Sequence, residues 1–218
     1  MTQTLEIYQS LWAMEKRQPG VPEAAPASHF ERIKAAGYHG VCIDPNVAEI
    51  NDSLALAPLF IDHQLNCMVN AFPNTRDELT PLLDMASALQ AKQVNVIGGV
   101  MPLTVLETIP VIAHWIDVAA AYDFPVLFET HRNATLNDFF ATLEILQAVP
   151  ALRLCADLSH FVVDREIGLP LSEIQASYFD RILERSDSFQ GRISNNEQIQ
   201  ISVHFPQHEA WVNQYKAW

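Results

Sequence analysis

Residues 125–160 read PVLFETHRNATLNDFFATLEILQAVPALRLCADLSH, and two apolar runs in this stretch each end on a carboxylate. The first, Val126–Glu129, follows Pro125. The second, Leu152–Asp157, follows Pro150. Unbroken apolar runs of this length are what strands buried on both faces of a parallel sheet require. Between them Thr135–Val149 has helical length and is closed by Pro150. The stretch therefore reads as strand, helix, strand, with an acid at the C-terminal end of each strand.

The same rhythm extends in both directions. Further strands are expected at Leu5–Trp12, Gly40–Asp44, Asn66–Phe72 and Gln93–Ile97, and a weaker seventh near Ser188–Ile193. Helix-sized segments lie between them. Ser28–Ala36 carries a serine placed to cap it and stops at Gly37. Thr75–Leu89 opens with TRDE, acids in a first turn where the helix dipole favours them. Leu103–Tyr122, Leu171–Arg185 and Pro206–Trp218 complete the set. Regular alternation of this kind allows an open doubly wound sheet or a closed barrel. A dinucleotide site needs GxGxxG after the first strand and a P-loop needs GxxxxGK[ST]; the chain has neither, and Gly98-Gly99 alone is weak. Polar residues instead fall at several strand ends: Asp44, Asn70, Glu129 with His131, Asp157 with His160, and Arg192. Ligand groups arriving from many strand ends mark a barrel mouth. The expected fold is an α/β, (β/α) TIM-type barrel of about seven units. It spans residues 1–218 as one domain and lacks the eighth strand of a complete barrel.

Composition narrows the function. A chain of 218 residues with 49% hydrophobic and 18% charged residues suits one compact domain. The net charge is -13, from 26 acidic and 13 basic residues, which disfavours nucleic acid and anionic membranes as partners. Cys42, Cys67 and Cys155 are an odd number at wide spacings, each in an apolar run. They read as buried reduced thiols in a reducing compartment, so the cytoplasm is the expected location. The N-terminal MTQTLEIYQSLWAMEKR places its charges after a short apolar stretch, the wrong order for a signal peptide. No run approaches the ~20 apolar residues of a membrane helix.

A buried strand-end carboxylate is costly to keep ionised without a cation. A single one is ordinarily a helix cap or the partner of an arginine, here Arg132 or Arg153. Two on successive strands, each followed by a histidine within three residues, point instead to a shared site with a proton or a metal ion between them. His160, three residues after Asp157, suits a metal ligand, a partner for a substrate hydroxyl, or an acid/base. His131 alternates with Glu129 along the strand, so both can face inward, and Arg132 is placed to bind substrate oxygens or pair with an acid. His29, His39, His63 and His114 read as structural.

The segments FETHRNATLNDF and AVPALRLCADLSHFVVDRE resemble the xylose-isomerase-like barrel superfamily of sugar isomerases, epimerases and related enzymes, in a branch whose fifth and sixth strands read ETHR and DLSH. The likeness runs from SLW at residues 10–12 to the GR…EQ…FPQH…W pattern near the end. It implies a divalent ion held by Glu129 and Asp157, with His160 contacting substrate beside it. Where relatives read SFHGR, this chain has Ser188-Phe189-Gln190-Gly191-Arg192, so the resemblance puts Gln190 at the strand-seven ligand position. An amide carbonyl is a weaker ligand than imidazole. The strand-eight acid of the superfamily has no counterpart before Trp218; Glu197 and His204 are the nearest substitutes.

The implied activity is metal-dependent isomerisation or epimerisation of a sugar or similar hydroxy-ketone through an enediolate. Glu129 would be ligand and base, His160 would hold substrate oxygen, and His131, Arg132 and Arg192 would contact substrate. Mg²⁺ or Mn²⁺ suits an oxygen-rich site; retained histidine ligands favour Mn²⁺, Co²⁺ or Zn²⁺. An alternative is a degraded relative that binds a sugar or polyol without catalysis. Abasic-site nucleases share the superfamily, but the acidic balance opposes that reading. Open edges on strands one and seven would suit a homodimer.

Overall fold

A computed structural model describes residues 5–15 and 17–218. Part of the N-terminal stretch weighed above as a signal peptide lies outside the described residues. Seven strands succeed one another in chain order: β1 (Tyr8–Ser10), β2 (Gly40–Ile43), β3 (Asn66–Ala71), β4 (Gln93–Val96), β5 (Val126–Glu129), β6 (Leu154–Ala156) and β7 (Ser186–Phe189). Each described pairing is parallel. Helices alternate with them: α1 (Pro26–Ala35), α2 (Ile50–Leu54), α3 (Ala57–Asp62), α4 (Leu79–Ala88), α5 (Val105–Ala119), α6 (Phe139–Ala148), α7 (Leu158–Asp164), α8 (Glu173–Leu183) and α9 (Glu209–Ala217). This is an α/β TIM-type barrel fold with seven strands in place of eight among the described residues. No described helix is long and apolar enough to cross a membrane.

The chain groups into two compact units, one of residues 1–96 and 118–126, the other of residues 97–117 and 127–218. In the first, β1 to β4 pair in register, and β2 is buried along its whole length. Gly40 is required at the start of β2, because a Cβ there would lie 2.4 Å from the Asn66 carbonyl oxygen and from the Tyr8 ring. Across these strands, from the start of β4 to the C-terminal ends of β3, β2 and β1, runs a polar ladder. Gln93 donates to Asn95 (2.8 Å), Asn95 to Asn70 (2.9 Å) and Asn70 to Asp44 (2.8 Å), while Ser10 donates to the other Asp44 oxygen (3.3 Å).

In the second unit β5, β6 and β7 pair under an aromatic core. Phe139, at the start of α6, lies 4.9 Å between ring centroids from both Phe161 of α7 and Phe179 of α8. Arg185 donates to the carbonyls of Leu146, Val149, Pro150 and Leu152, closing the C-terminal end of α6 with a cation where the helix dipole favours one. On the surface Arg153 grips Asp187 through two hydrogen bonds of 2.7 and 2.5 Å, tying β6 to β7.

Several elements depart from the sequence expectation. Helix α1 begins at Pro26, not Ser28; proline at the first helical position needs no amide partner, and no side chain caps this helix. Helix α4 begins at Leu79, so the TRDE segment precedes it. Strand β7 is Ser186–Phe189 rather than Ser188–Ile193, which leaves Gln190 and Arg192 in the segment after the strand. Helices α2, α3 and α7 were not anticipated, and α7 matters most, because it begins immediately after Asp157.

Candidate active site

The site is built entirely within the second unit, from the ends of β5, β6 and β7. Glu129, the last residue of β5, is 2% exposed and pairs in register with Cys155 of β6. Its carboxylate Oε2 accepts a 2.8 Å hydrogen bond from Gln190 Nε2, and the Gln190 backbone amide in turn donates to Ala156 (3.0 Å). The Gln190 amide, one residue beyond β7, thus holds the strand-five carboxylate.

His131 follows two residues later. Its Nδ1 lies 2.6 Å from the Arg132 carbonyl oxygen, an acceptor only, so Nδ1 carries the proton and Nε2 keeps the lone pair. Burial and the charges of Arg192 and Arg132 hold this imidazole below its usual pKa, opposed by the backbone hydrogen bond. The His131 and His160 rings stand 4.0 Å apart between centroids.

Asp157 caps α7: its Oδ1 accepts from the Ser159 amide (3.1 Å) and from the Ser159 hydroxyl. Such a cap is worth about 1 kcal/mol. Its Oδ2 is buried with no hydrogen-bond partner among the described residues, 3.5 Å from Arg192 Nε and 3.4 Å from His160 Nε2. His160, in the first turn of α7, has Nε2 3.4 Å from Arg192 Nη1, while its Nδ1 is buried without a partner among the described residues. Arg153, one alternative partner for Asp157, is engaged by Asp187, and Arg132 is exposed. Glu197 and His204 are both exposed. A cavity of about 250 Å³ opens beside Gln190, walled by Leu158, Phe189, Ile193, Tyr215 and Trp218.

The structure therefore assembles Glu129, His131 and His160, whose ligating atoms lie within 4.8 Å of one another. One carboxylate oxygen and two imidazole nitrogens, one with its tautomer set by a backbone carbonyl and the other with an unpartnered buried Nδ1, are a donor set that fits a divalent cation. Asp157 flanks this group through His160, and Gln190 flanks it through Glu129. Sequence reasoning gave no role to Ser159 or Thr130; both are short polar residues inside the two motifs, and only burial and partners reveal them.

The two groups beside Arg192 titrate in opposite senses. Burial pushes His160 down to about 2, helped by the charges of His131, Arg192 and Arg132. Burial pushes Asp157 up to about 6, against the Arg192 charge and the Ser159 hydrogen bonds. Below pH ~6.5 an unfolded chain protonates the imidazole and the native one does not. His160 thus contributes stability above that pH, lost as pH falls. Asp157 keeps its native proton to about pH 6, whereas the unfolded carboxyl releases it near ~3.9. Its contribution is full at low pH and lost as pH rises toward 6. The slopes offset each other between pH ~4 and ~6. His160→Gln removes one of them, so metal-free variant is expected to gain about 2–3 kcal/mol relative to wild type as pH falls from ~6 to ~4. Urea midpoints across this range check it; parallel curves would refute it.

No protein-family model matches this chain, and no curated protein sequence does. Among solved structures it is similar to a xylose isomerase-like TIM barrel protein from Mycobacterium smegmatis in complex with magnesium, with a TM-score of 0.61 and 15% identity over 87% of this chain and 75% of that one. It is also similar to a D-allulose 3-epimerase from Methylomonas sp. in complex with D-allulose, with a TM-score of 0.54 and 12% identity over 97% and 90%. An L-ribulose 3-epimerase gives a TM-score of 0.53 and 14% identity over 88% and 84%. The chain has the fold of the xylose isomerase-like TIM barrel proteins, and its neighbours in that fold include sugar epimerases.

Proposed function

We propose that this chain, acting as one barrel domain, is a metal-dependent isomerase or epimerase of a sugar or sugar-like hydroxy-ketone. The observation that carries the proposal is the convergence of buried Glu129 and His160 with half-buried His131, from the end of β5 and the first turn of α7, in a barrel fold similar to that of sugar epimerases. A divalent ion held by these three residues would supply Lewis-acid stabilisation of negative charge on adjacent substrate oxygens. Two imidazoles beside one carboxylate favour Mn²⁺, Co²⁺ or Zn²⁺ over Mg²⁺. Asp157 and Gln190, expected as ligands, enter the proposal as the groups that flank His160 and Glu129.

The chain's own residues divide the remaining work. Glu129, which accepts from the Gln190 amide, is the base for the proton on the hydroxyl-bearing carbon next to the substrate carbonyl. His160 holds a substrate oxygen. Arg192 faces both Asp157 and His160, and its guanidinium, with that of Arg132, would bind substrate hydroxyls, whereas His131, expected to contact substrate, gives its free nitrogen to the ion. The substrate is a small sugar or polyol, with neither nucleic acid nor membrane as partner. The cytoplasm is the proposed compartment, consistent with three buried free thiols, and a homodimer the proposed assembly.

Calorimetric titration with Mn²⁺, Co²⁺, Zn²⁺ and Mg²⁺, followed by turnover on a panel of ketoses and aldoses, tests the reading. One saturable site and interconversion of a ketose are expected. Absence of saturable binding for all four ions would overturn it. The Gln190 donation to Glu129, at the position where the sequence resemblance implies a histidine ligand, favours a second reading as a sugar-binding barrel without catalysis; saturable binding of metal and sugar with no turnover across the panel would establish that one.

A further inference from the structure

Thr130 sits between Glu129 and His131, and its side chain is fully buried. Its hydroxyl makes two hydrogen bonds to a single residue of the neighbouring strand end: it donates to the Asp157 carbonyl (3.0 Å) and accepts from the Asp157 amide (2.9 Å). The Thr130 amide meanwhile donates to the Cys155 carbonyl (3.2 Å). Pairing between β5 and β6 reaches only Glu129 opposite Cys155, because beyond Ala156 the chain leaves the strand and turns into α7. The rung that a longer ladder would supply is missing, and without it the buried Asp157 amide would lack a partner, while its carbonyl, which opens the α7 ladder, would keep only its helical bond. The threonine hydroxyl replaces that rung, acting as donor and acceptor through one oxygen.

The consequence reaches the site. Glu129 and His131 flank Thr130 on β5 and its continuation, while His160 lies one helical turn from Asp157 on α7. The clamp joins these two segments at the level of the donor atoms, together with the 4.0 Å contact of the His131 and His160 rings. Serine shares its hydrogen-bonding capacity; valine shares its shape without it. We infer that Thr130 is a positioning residue: its clamp on Asp157 sets the separation of the Glu129–His131 pair from His160 and thereby the metal affinity of the three. The inference rests on the metal-site reading above.

Mn²⁺ calorimetry and the visible absorption of the Co²⁺-loaded protein, on wild type, Thr130→Val and Thr130→Ser, test it. Thr130→Val is expected to lose about 10-fold or more in affinity, the size seen when an outer-shell partner of a metal ligand is removed, with an altered Co²⁺ spectrum. Thr130→Ser is expected to restore affinity to within about twofold, since it keeps the hydroxyl. A purely structural role would lower the thermal midpoint and leave the Co²⁺ spectrum unchanged, so a wild-type spectrum and affinity in Thr130→Val overturn the inference alone. Failure of the wild type itself to bind Mn²⁺ or Co²⁺ overturns the metal reading and this inference together. Should Thr130→Val not fold, Thr130→Cys, whose thiol is a weak donor and acceptor, is expected to fall between wild type and complete loss; wild-type affinity and spectrum there refute the inference equally.

Discussion

Glu129→Gln is expected to leave a folded protein that binds Mn²⁺ far more weakly and turns over at a rate reduced about 10²–10⁴-fold, the range for loss of a positioned acid/base. The substitution keeps shape and keeps an amide oxygen able to accept from Gln190, so the strand-five to strand-seven contact survives. What disappears is the negative charge. In a site that is 2% exposed at this residue, that charge is the main attraction for a dication, and the neutral His131 and His160 do not replace it. The fall in affinity should therefore exceed the about 10–100-fold typical of an outer-shell change. Urea unfolding should show unchanged or higher stability for the metal-free variant, because a buried ionised group has been exchanged for a neutral one. Metal affinity within about threefold of wild type, itself under half the tenfold that 1.4 kcal/mol represents, would remove Glu129 from the donor set.

Phe139→Ala is expected to be the most damaging single truncation for stability, at about 3–5 kcal/mol. Phe139 is 1% exposed, stacks on Phe161 and packs at a tilt against Phe179 while touching Phe140 and Tyr178, so three helices close around one ring. Its removal leaves a cavity that rigid helix ends cannot fill, and domains of this kind have only about 5–15 kcal/mol in total. Urea midpoints measure the loss; a cost below about 1 kcal/mol would mean the helices collapse onto the gap, contrary to the usual behaviour of such cores. Because α7 carries both Phe161 and His160, the variant also reports whether the aromatic core holds the site in place.

The strand-five reading matched the structure to the residue, since Val126–Glu129 is an apolar run bounded by Pro125 and a carboxylate. The strand-six run was read three residues too long. Its first two residues, Leu152 and Arg153, precede the strand, and its last, Asp157, leaves it to cap a helix. Helix α7 escaped detection for a physical reason. Its sequence LSHFVVD has no amphipathic spacing, because Leu158, Ser159, His160, Phe161 and Val162 are all buried, and a helix buried on every side shows no polar face to count. Strand β7 starts two residues earlier than expected; SDSF has two exposed residues and only one apolar side chain, so its composition does not announce a strand.

The order of the seven strands and the placing of Glu129 and Asp157 at the ends of two successive apolar runs, each with a histidine close behind, were legible in the amino-acid sequence alone, because each follows from local periodicity and from where polar residues interrupt apolar runs. The grouping of donor atoms was not. Periodicity states which face a residue occupies; hydrogen bonds decide where its polar atoms point. Ser159 draws Asp157 into a helix cap, Gln190 turns its amide nitrogen to Glu129, and the Arg132 carbonyl sets the His131 tautomer, so the acid and amide expected as ligands stand beside a carboxylate and two imidazoles whose ligating atoms tertiary packing gathers within 4.8 Å of one another.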